Sequence, residues 1–225
     1  AYNMLERYRE IAVYKEDIDF FIKLVQNDIG SVSEIQLRSI AKAIIFFKRL
    51  FLEEDSQNHH YAECFISDLL NLLHSLCGES QRLYYTTYRS LIENFVRVLL
   101  KYDNSNDTGV RNMINELRDK YKDKGKIFID YLEGEYGKCC DVIHSNLKAN
   151  LCLYSYYEDL LKTDEMQDTM ISKYISIFDT FCRKSKEFVV IHESPLVNEC
   201  FYNHKELLSF LIGDKNYKIF ESACE

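Results

Sequence analysis

The stretch Tyr84-Tyr85-Thr86-Thr87-Tyr88-Arg89-Ser90-Leu91-Ile92-Glu93-Asn94-Phe95-Val96-Arg97-Val98-Leu99-Leu100 decides the fold class. Tyr84, Tyr88, Leu91, Ile92, Phe95, Val98 and Leu99 recur at spacings of three and four, the period at which one face of an α-helix returns to the same side. No Gly or Pro interrupts the run. The spacing predicts one helix from Glu79 to Tyr102, with an aromatic and aliphatic face turned inward.

The same period extends outward in both directions. Upstream, residues 3 to 28 carry Leu5, Tyr8, Ile11, Ile18, Phe21, Ile22 and Val25 on one face before Asn27-Asp28-Ile29-Gly30-Ser31 stops the helix. Ser33 with Gln36 three residues on forms a capping-box pattern, and Ile40, Ala43, Ile44, Phe47, Leu50 and Phe51 follow to about Leu52. A polar connection from Glu53 to Asn58 leads to a third apolar face, Phe65 to Leu76, ending at Gly78. Downstream, Asn104 to Gly109 is a loop, and a charged helix from Val110 to about Lys122 is expected to break around Gly125. A short apolar segment, Ile127 to Leu132, is then set apart by Gly134 from a helix holding His144. Beyond it the apolar pattern resumes through Leu151, Leu153, Tyr154, Tyr157, Leu160 and Leu161. A helix over about 165–186, an extended Val189-Val190-Ile191 before Ser194-Pro195, and a C-terminal hairpin turning at Gly213-Asp214 complete the chain.

One Pro and seven Gly in 225 residues leave few breakers, and no series of strands lies between the helices. The expectation is an all-α multi-helix bundle of about seven to ten helices, forming a single domain over residues 1–225. A formal net charge of -8 argues against a broad basic surface for coating nucleic acid, while leaving room for a local basic site. The chain lacks a run of 18 apolar residues and a signal-peptide pattern, which points to a cytoplasmic protein without a membrane partner. Eight cysteines without a CxxC pair read as buried, reduced thiols. His74 with Cys77 and Cys140 with His144 have spacings that suit two ligands each. A structural zinc site needs four ligands, however, and no recurrent pair is present, so neither a metal nor a cofactor is expected.

Two helices carry polar residues that packing alone does not require. On the first, Arg82, Thr86, Arg89, Glu93 and Arg97 fall within about 80° of one another at 100° per residue. As a solvated stripe they would be held by i,i+4 pairs worth about 0.2–0.5 kcal/mol each, and Arg89 before Glu93 is the weaker order. On the second, Tyr136, Cys139, Cys140, Ile143 and Leu147 form the apolar face, and His144 borders it. Histidine ordinarily titrates near pH 6.5, which suits proton transfer without being diagnostic of it. Glycine costs about 1 kcal/mol relative to Ala inside a helix, so Gly137 is read as a point of close approach on the histidine's side.

Tyr88-Arg89-Ser90-Leu91-Ile92-Glu93, paired with a later Tyr136-x5-Val142-Ile143-His144-Ser145, resembles the HEPN superfamily of all-helical domains common in prokaryotic toxins and antiphage defence proteins. The resemblance covers residues 80–162. It implies a metal-independent ribonuclease, usually a homodimer with its site in a cleft between two copies. The family signature is an Arg, four to six residues, then His. His144 matches the histidine, but Gly137, Lys138 and Cys139 occupy the positions for the Arg, and only Lys138 keeps the charge. Lysine lacks the planar fork that grips phosphate at two points. The resemblance implies attack of the RNA 2′-hydroxyl on the adjacent phosphate, with His144 as general base or acid. Lys138 and Arg89 would stabilise the phosphorane, Glu93 would orient a cation, and Ser145, Asn146 and Arg97 would contact the substrate. The rival expectation is a non-catalytic helical module that binds a protein partner through Tyr- and Phe-rich faces.

Overall fold

The computed structural model describes residues 4–30, 32–52, 59–78, 80–144, 152–163 and 168–224. Among these the elements are nine α-helices and no strand: α1 (Met4–Ile29), α2 (Glu34–Leu52), α3 (His60–Ser75), α4 (Gln81–Leu100), α5 (Val110–Ile143), α6 (Leu153–Thr163), α7 (Asp168–His192), α8 (Ser194–Cys200) and α9 (Lys205–Cys224). The chain is an all-α multi-helix protein, as the periodicity requires. None of its helices is long and apolar enough to cross a membrane among the described residues. It divides into two compact units, Ala1–His59 with Ser172–Glu225 and His60–Ile171. The polar connection read at Glu53 to Asn58 lies outside the described residues.

In the first unit α2 is central. Ser33 caps it, accepting the Gln36 backbone N–H at 3.4 Å through its hydroxyl, which is one half of the predicted capping box, while the Gln36 side chain donates to the Ser176 hydroxyl at 3.0 Å. Phe46 and Phe47 are wholly buried, and Phe46 stacks on Phe201 with centroids 5.8 Å apart. α7 contributes Tyr174, Phe178 and Phe181 to the same unit's core. Val189 and Val190, expected in extended chain, instead continue α7 to His192. Both are fully buried, and packing of that face overrides the β-preference of branched side chains. The expected helix from Val197 to Ile212 is interrupted at residues 201–204. The expected turn at Gly213 survives as a break inside α9, where φ is 79° and only Gly is free of strain.

The second unit is built on α3, α4 and α5. Ser80 caps α4 by accepting the Leu83 N–H, and Lys101 ends it in the left-handed region at φ 56°. Tyr84, Tyr88, Leu91, Ile92, Phe95 and Val96 are all fully buried. At about 1.5–3 kcal/mol per large apolar side chain, this face is the main reason that α4 is helical. Phe65 of α3 meets Phe95 with centroids 5.1 Å apart, and Asp68 accepts hydrogen bonds at 2.8 Å from both Ser90 and Asn94, pinning α3 to α4.

The break expected near Gly125 falls at Lys122, with φ 50° and ψ -142°, while the separation expected at Gly134 is not found, because α5 runs through it to Ile143. Gly125 lies within the helix after it, where a Cβ would stand 2.6 Å from Tyr121 Cβ. The glycine answers to close packing there, not to a turn. α6 differs from the other helices of its unit: Leu153, Tyr154, Tyr157, Leu160 and Leu161, which the periodicity groups on an apolar face, are exposed. Leu151, read as the start of that pattern, lies outside the described residues.

Candidate functional site

α4 and α5 pack along one another in the second unit, and this pairing brings the two polar stripes together. Arg89 donates through Nε to Glu93 Oε1 at 3.1 Å and to the Tyr136 hydroxyl at 3.0 Å. The Tyr136 hydroxyl in turn donates to the same Glu93 oxygen at 2.9 Å. Three side chains thus close a ring of hydrogen bonds, and the Arg89 guanidinium also lies over the Tyr136 ring, 5.2 Å from its centroid. Arg89 Nη1 stands 3.5 Å from His144 Nε2, at the C-cap of α5, and His144 is exposed to solvent.

The electrostatics favour this arrangement. Burial disfavours the Arg89 charge, but the hydrogen bond to Glu93 and the neighbouring Tyr136 and Glu93 outweigh it and hold its pKa above the ordinary value. Burial raises the Tyr136 phenol well above its usual range, and the Glu93 carboxylate adds to the rise, so the hydroxyl remains a donor. An arginine has only donors, so a hydrogen bond from Arg89 Nη1 uses the imidazole nitrogen as acceptor. The result is an imidazole beside a guanidinium at a solvent-exposed edge.

The other residues named from the sequence separate into three groups. Lys138 does not join the pair: its ammonium binds Glu135, three residues earlier, at 2.5 Å. Six residues before His144, it lies about 120° away around α5. Arg97 is held by Glu93 at 3.6 Å, by Asn94 at 3.3 Å and over the Tyr61 ring, with only 17% of its side chain exposed. It belongs to the packing of α4 more than to an open site. Ser145 and Asn146 lie outside the described residues.

Two expectations are corrected at this site. Gly137 is not a point of close approach, because a Cβ there would meet nothing within 4 Å. Nor are the cysteines uniformly buried. Cys139 and Cys182 are, and burial pushes the Cys139 thiol up to about 12, but Cys77 and Cys152 are exposed. Among the described residues no group of three or more His, Cys, Asp or Glu side chains is placed to hold a metal ion.

Tyr136 lies on the apolar face by its spacing, yet its hydroxyl orders the site through Arg89 and Glu93. A signal for it exists in the sequence: Tyr136, Cys140 and His144 are spaced i, i+4, i+8 and so share one face of α5. Glu135 carries no such signal in the sequence. It is buried and accepts from the Tyr88 hydroxyl at 3.2 Å, a second polar tie between α4 and α5.

Fold and site together define an all-helical protein with an exposed Arg–His pair braced by a carboxylate and a phenol. Comparison with known proteins adds no relative: no family model, no curated protein and no solved structure matches the chain.

Proposed function

We propose that the second unit is a HEPN-like domain of a prokaryotic antiphage defence or toxin system, acting in the cytoplasm on RNA as a metal-independent endoribonuclease. The observation that carries this reading is the 3.5 Å approach of Arg89 to His144 at a solvent-exposed edge. In this reading Arg89 takes the place that the family's signature gives to an arginine on the histidine's own helix, and Lys138 serves the fold through Glu135.

The chemistry needs one proton carrier and one charge stabiliser. The RNA 2′ oxygen forms a bond to the adjacent phosphorus, and the bond from phosphorus to the 5′ oxygen breaks. His144 takes the 2′-hydroxyl proton as general base, or protonates the leaving 5′ oxygen as general acid. Arg89 donates to the non-bridging oxygens, where negative charge accumulates, and a fixed donor of this kind is worth about 10²–10³ in rate. Glu93 and Tyr136 hold the guanidinium in place, so little reorganisation accompanies the reaction. A homodimer would supply a second copy of each group to one cleft.

The test is cleavage of a mixed RNA pool, with chelator present, by the wild-type protein and by His144→Ala. Cleavage that disappears in the variant supports the reading. No cleavage by a folded wild-type protein, with its oligomeric state checked by sedimentation, would defeat it.

A second reading is favoured by a separate observation. α6 presents Leu153 at 85% exposure and Tyr154 at 75%, together with Tyr157 and Leu161, on a helix otherwise rich in polar residues. Such a face suits a non-catalytic module that binds a protein partner.

A further inference from the structure

The first unit holds a cavity of about 430 Å³ between α2, α7 and α9, and cations enter it from all three helices. Arg38 and Lys42 are one turn apart on α2, Arg183 and Lys186 are three residues apart on α7, and Lys215 follows the break in α9. Two of these five are matched by carboxylates. Arg38 binds Glu34 and Asp19, both at 2.7 Å, and Arg183 binds Asp179 at 3.0 Å. Their guanidiniums are thereby oriented beside the cavity.

Lys42 and Lys186 are different, since neither forms an ion pair among the described residues. Lys186 is only 6% exposed, and among the described residues its ammonium donates to one acceptor, the Leu211 carbonyl, at 2.9 Å. That carbonyl is available because Gly213 leaves the helical conformation and the preceding turn loses its continuation. An ammonium has three N–H donors, so one carbonyl leaves capacity on the cavity side. Lys42 lies 4.0 Å from the centroid of the Phe210 ring, a cation–π contact that attracts the ammonium without neutralising its charge.

The packing also sets like charges against one another. Burial is the largest influence against the charge of each lysine. Lys42 and Arg183 further oppose the charge on Lys186, against Cys182 and Asp179, while Arg38 and Lys15 oppose that on Lys42, against Asp214. Of the lining carboxylates, Glu34 is already bound to Arg38, which leaves Glu187. Crowded cations in a concave, partly buried site, within a protein of formal charge -8, carry a cost that a bound anion would offset.

We propose that this cavity binds a small phosphorylated compound, with Lys42 and Lys186 as its charge partners and Arg38 and Arg183 as flanking donors. The size admits one or two phosphate groups and a small organic part. Ile35, 83% exposed, and the buried Leu211 and Ile212 line the cavity and provide apolar contact for that part. The helical run after Gly213 begins at the cavity through Lys215 and Asn216, which adds the positive end of a helix to the site. This inference concerns the first unit and stands independently of the RNA reading.

The probe is inorganic pyrophosphate, titrated calorimetrically into the full chain at fixed ionic strength, with malonate as the carboxylate arm. The expected result is saturable 1:1 binding of pyrophosphate, weakened at least tenfold in Lys42→Gln and in Lys186→Met, and at least tenfold weaker for malonate. Lys218→Gln, an exposed change of equal charge outside the cavity, should leave it unchanged. Because Lys186 is buried, Lys42→Gln carries the test if Lys186→Met fails to fold. Absence of saturable binding, equal weakening by Lys218→Gln and Lys42→Gln, or malonate binding as tightly as pyrophosphate would each overturn the proposal.

Discussion

Arg89 and His144, separated by 55 positions in the chain, meet with Nη1 and Nε2 3.5 Å apart. α4 supplies the cation and the C-cap of α5 supplies the imidazole, so the pair depends on the register between the two helices. Glu93 and Tyr136 fix that register locally by holding the guanidinium from behind.

The pair assigns different consequences to the two candidate cations. On the proposed ribonuclease reading, Arg89→Lys keeps the charge but loses the planar fork, and RNA cleavage is expected to fall about 10²-fold or more. Lys138→Ala should change cleavage by less than about twofold, since removing the Glu135 contact leaves Arg89 and His144 in place. Single-turnover rates of both variants on one RNA decide the matter. A larger loss in Lys138→Ala than in Arg89→Lys would show that Lys138 is the functional cation.

Tyr136→Phe removes one hydroxyl that both accepts from Arg89 and donates to Glu93. The expected loss of stability is about 1–2 kcal/mol, because two part-buried charged groups each lose a partner. Denaturant unfolding of the variant against wild type measures it. On the ribonuclease reading the same variant should lower cleavage through disorder of Arg89, with the pH profile unchanged in shape because the proton carrier remains.

Gly125 and Gly137 of α5 should respond in opposite directions. Gly137→Ala adds a Cβ to open space on a helix and is expected to stabilise by about 0.5–1 kcal/mol. Gly125→Ala places its Cβ 2.6 Å from Tyr121 Cβ and 3.1 Å from Ile129 Cδ1, and should destabilise by about 1–3 kcal/mol. Thermal unfolding of the pair provides the comparison.

Lys186 predicts a dependence of stability on alkaline pH. Burial lowers its pKa to about 8 in the folded chain, from an ordinary 10.5. Between these values the unfolded chain holds a proton that the folded chain has released, so the contribution of this group to stability rises with pH over that window. The stability of wild type relative to Lys186→Met should therefore increase as pH goes from 8 to 10, by an amount on the order of 2 kcal/mol. Tyr88, kept protonated by its burial, titrates alike in both proteins and cancels in the difference. A flat difference across that range would show that Lys186 does not titrate there.

Much of the architecture was legible because helix formation and capping are local. The spacing of Tyr84, Tyr88, Leu91, Ile92 and Phe95 recurs in the structure as read, and so does the Ser33 half of the Ser33–Gln36 cap. The misreadings fall where a distant contact intervened. Val189 and Val190 are branched residues that prefer extended chain, yet a buried face holds them in α7. Gly125 read as a breaker, yet Tyr121 requires its missing side chain.

The candidate site divides the same way. Helical periodicity by itself determined that this chain is all-α, that Arg89 and Glu93 share a stripe on one helix, and that His144 borders the apolar face of another. It could not select Arg89 over Lys138 as the cation beside His144, because a helical period sets the side on which a residue lies and not the residue it faces on another helix. Only the packing of α4 against α5 made that choice. The same holds for the cavity of the first unit, whose cations come from helices up to about 180 residues apart in sequence and converge only where tertiary burial draws α2, α7 and α9 together.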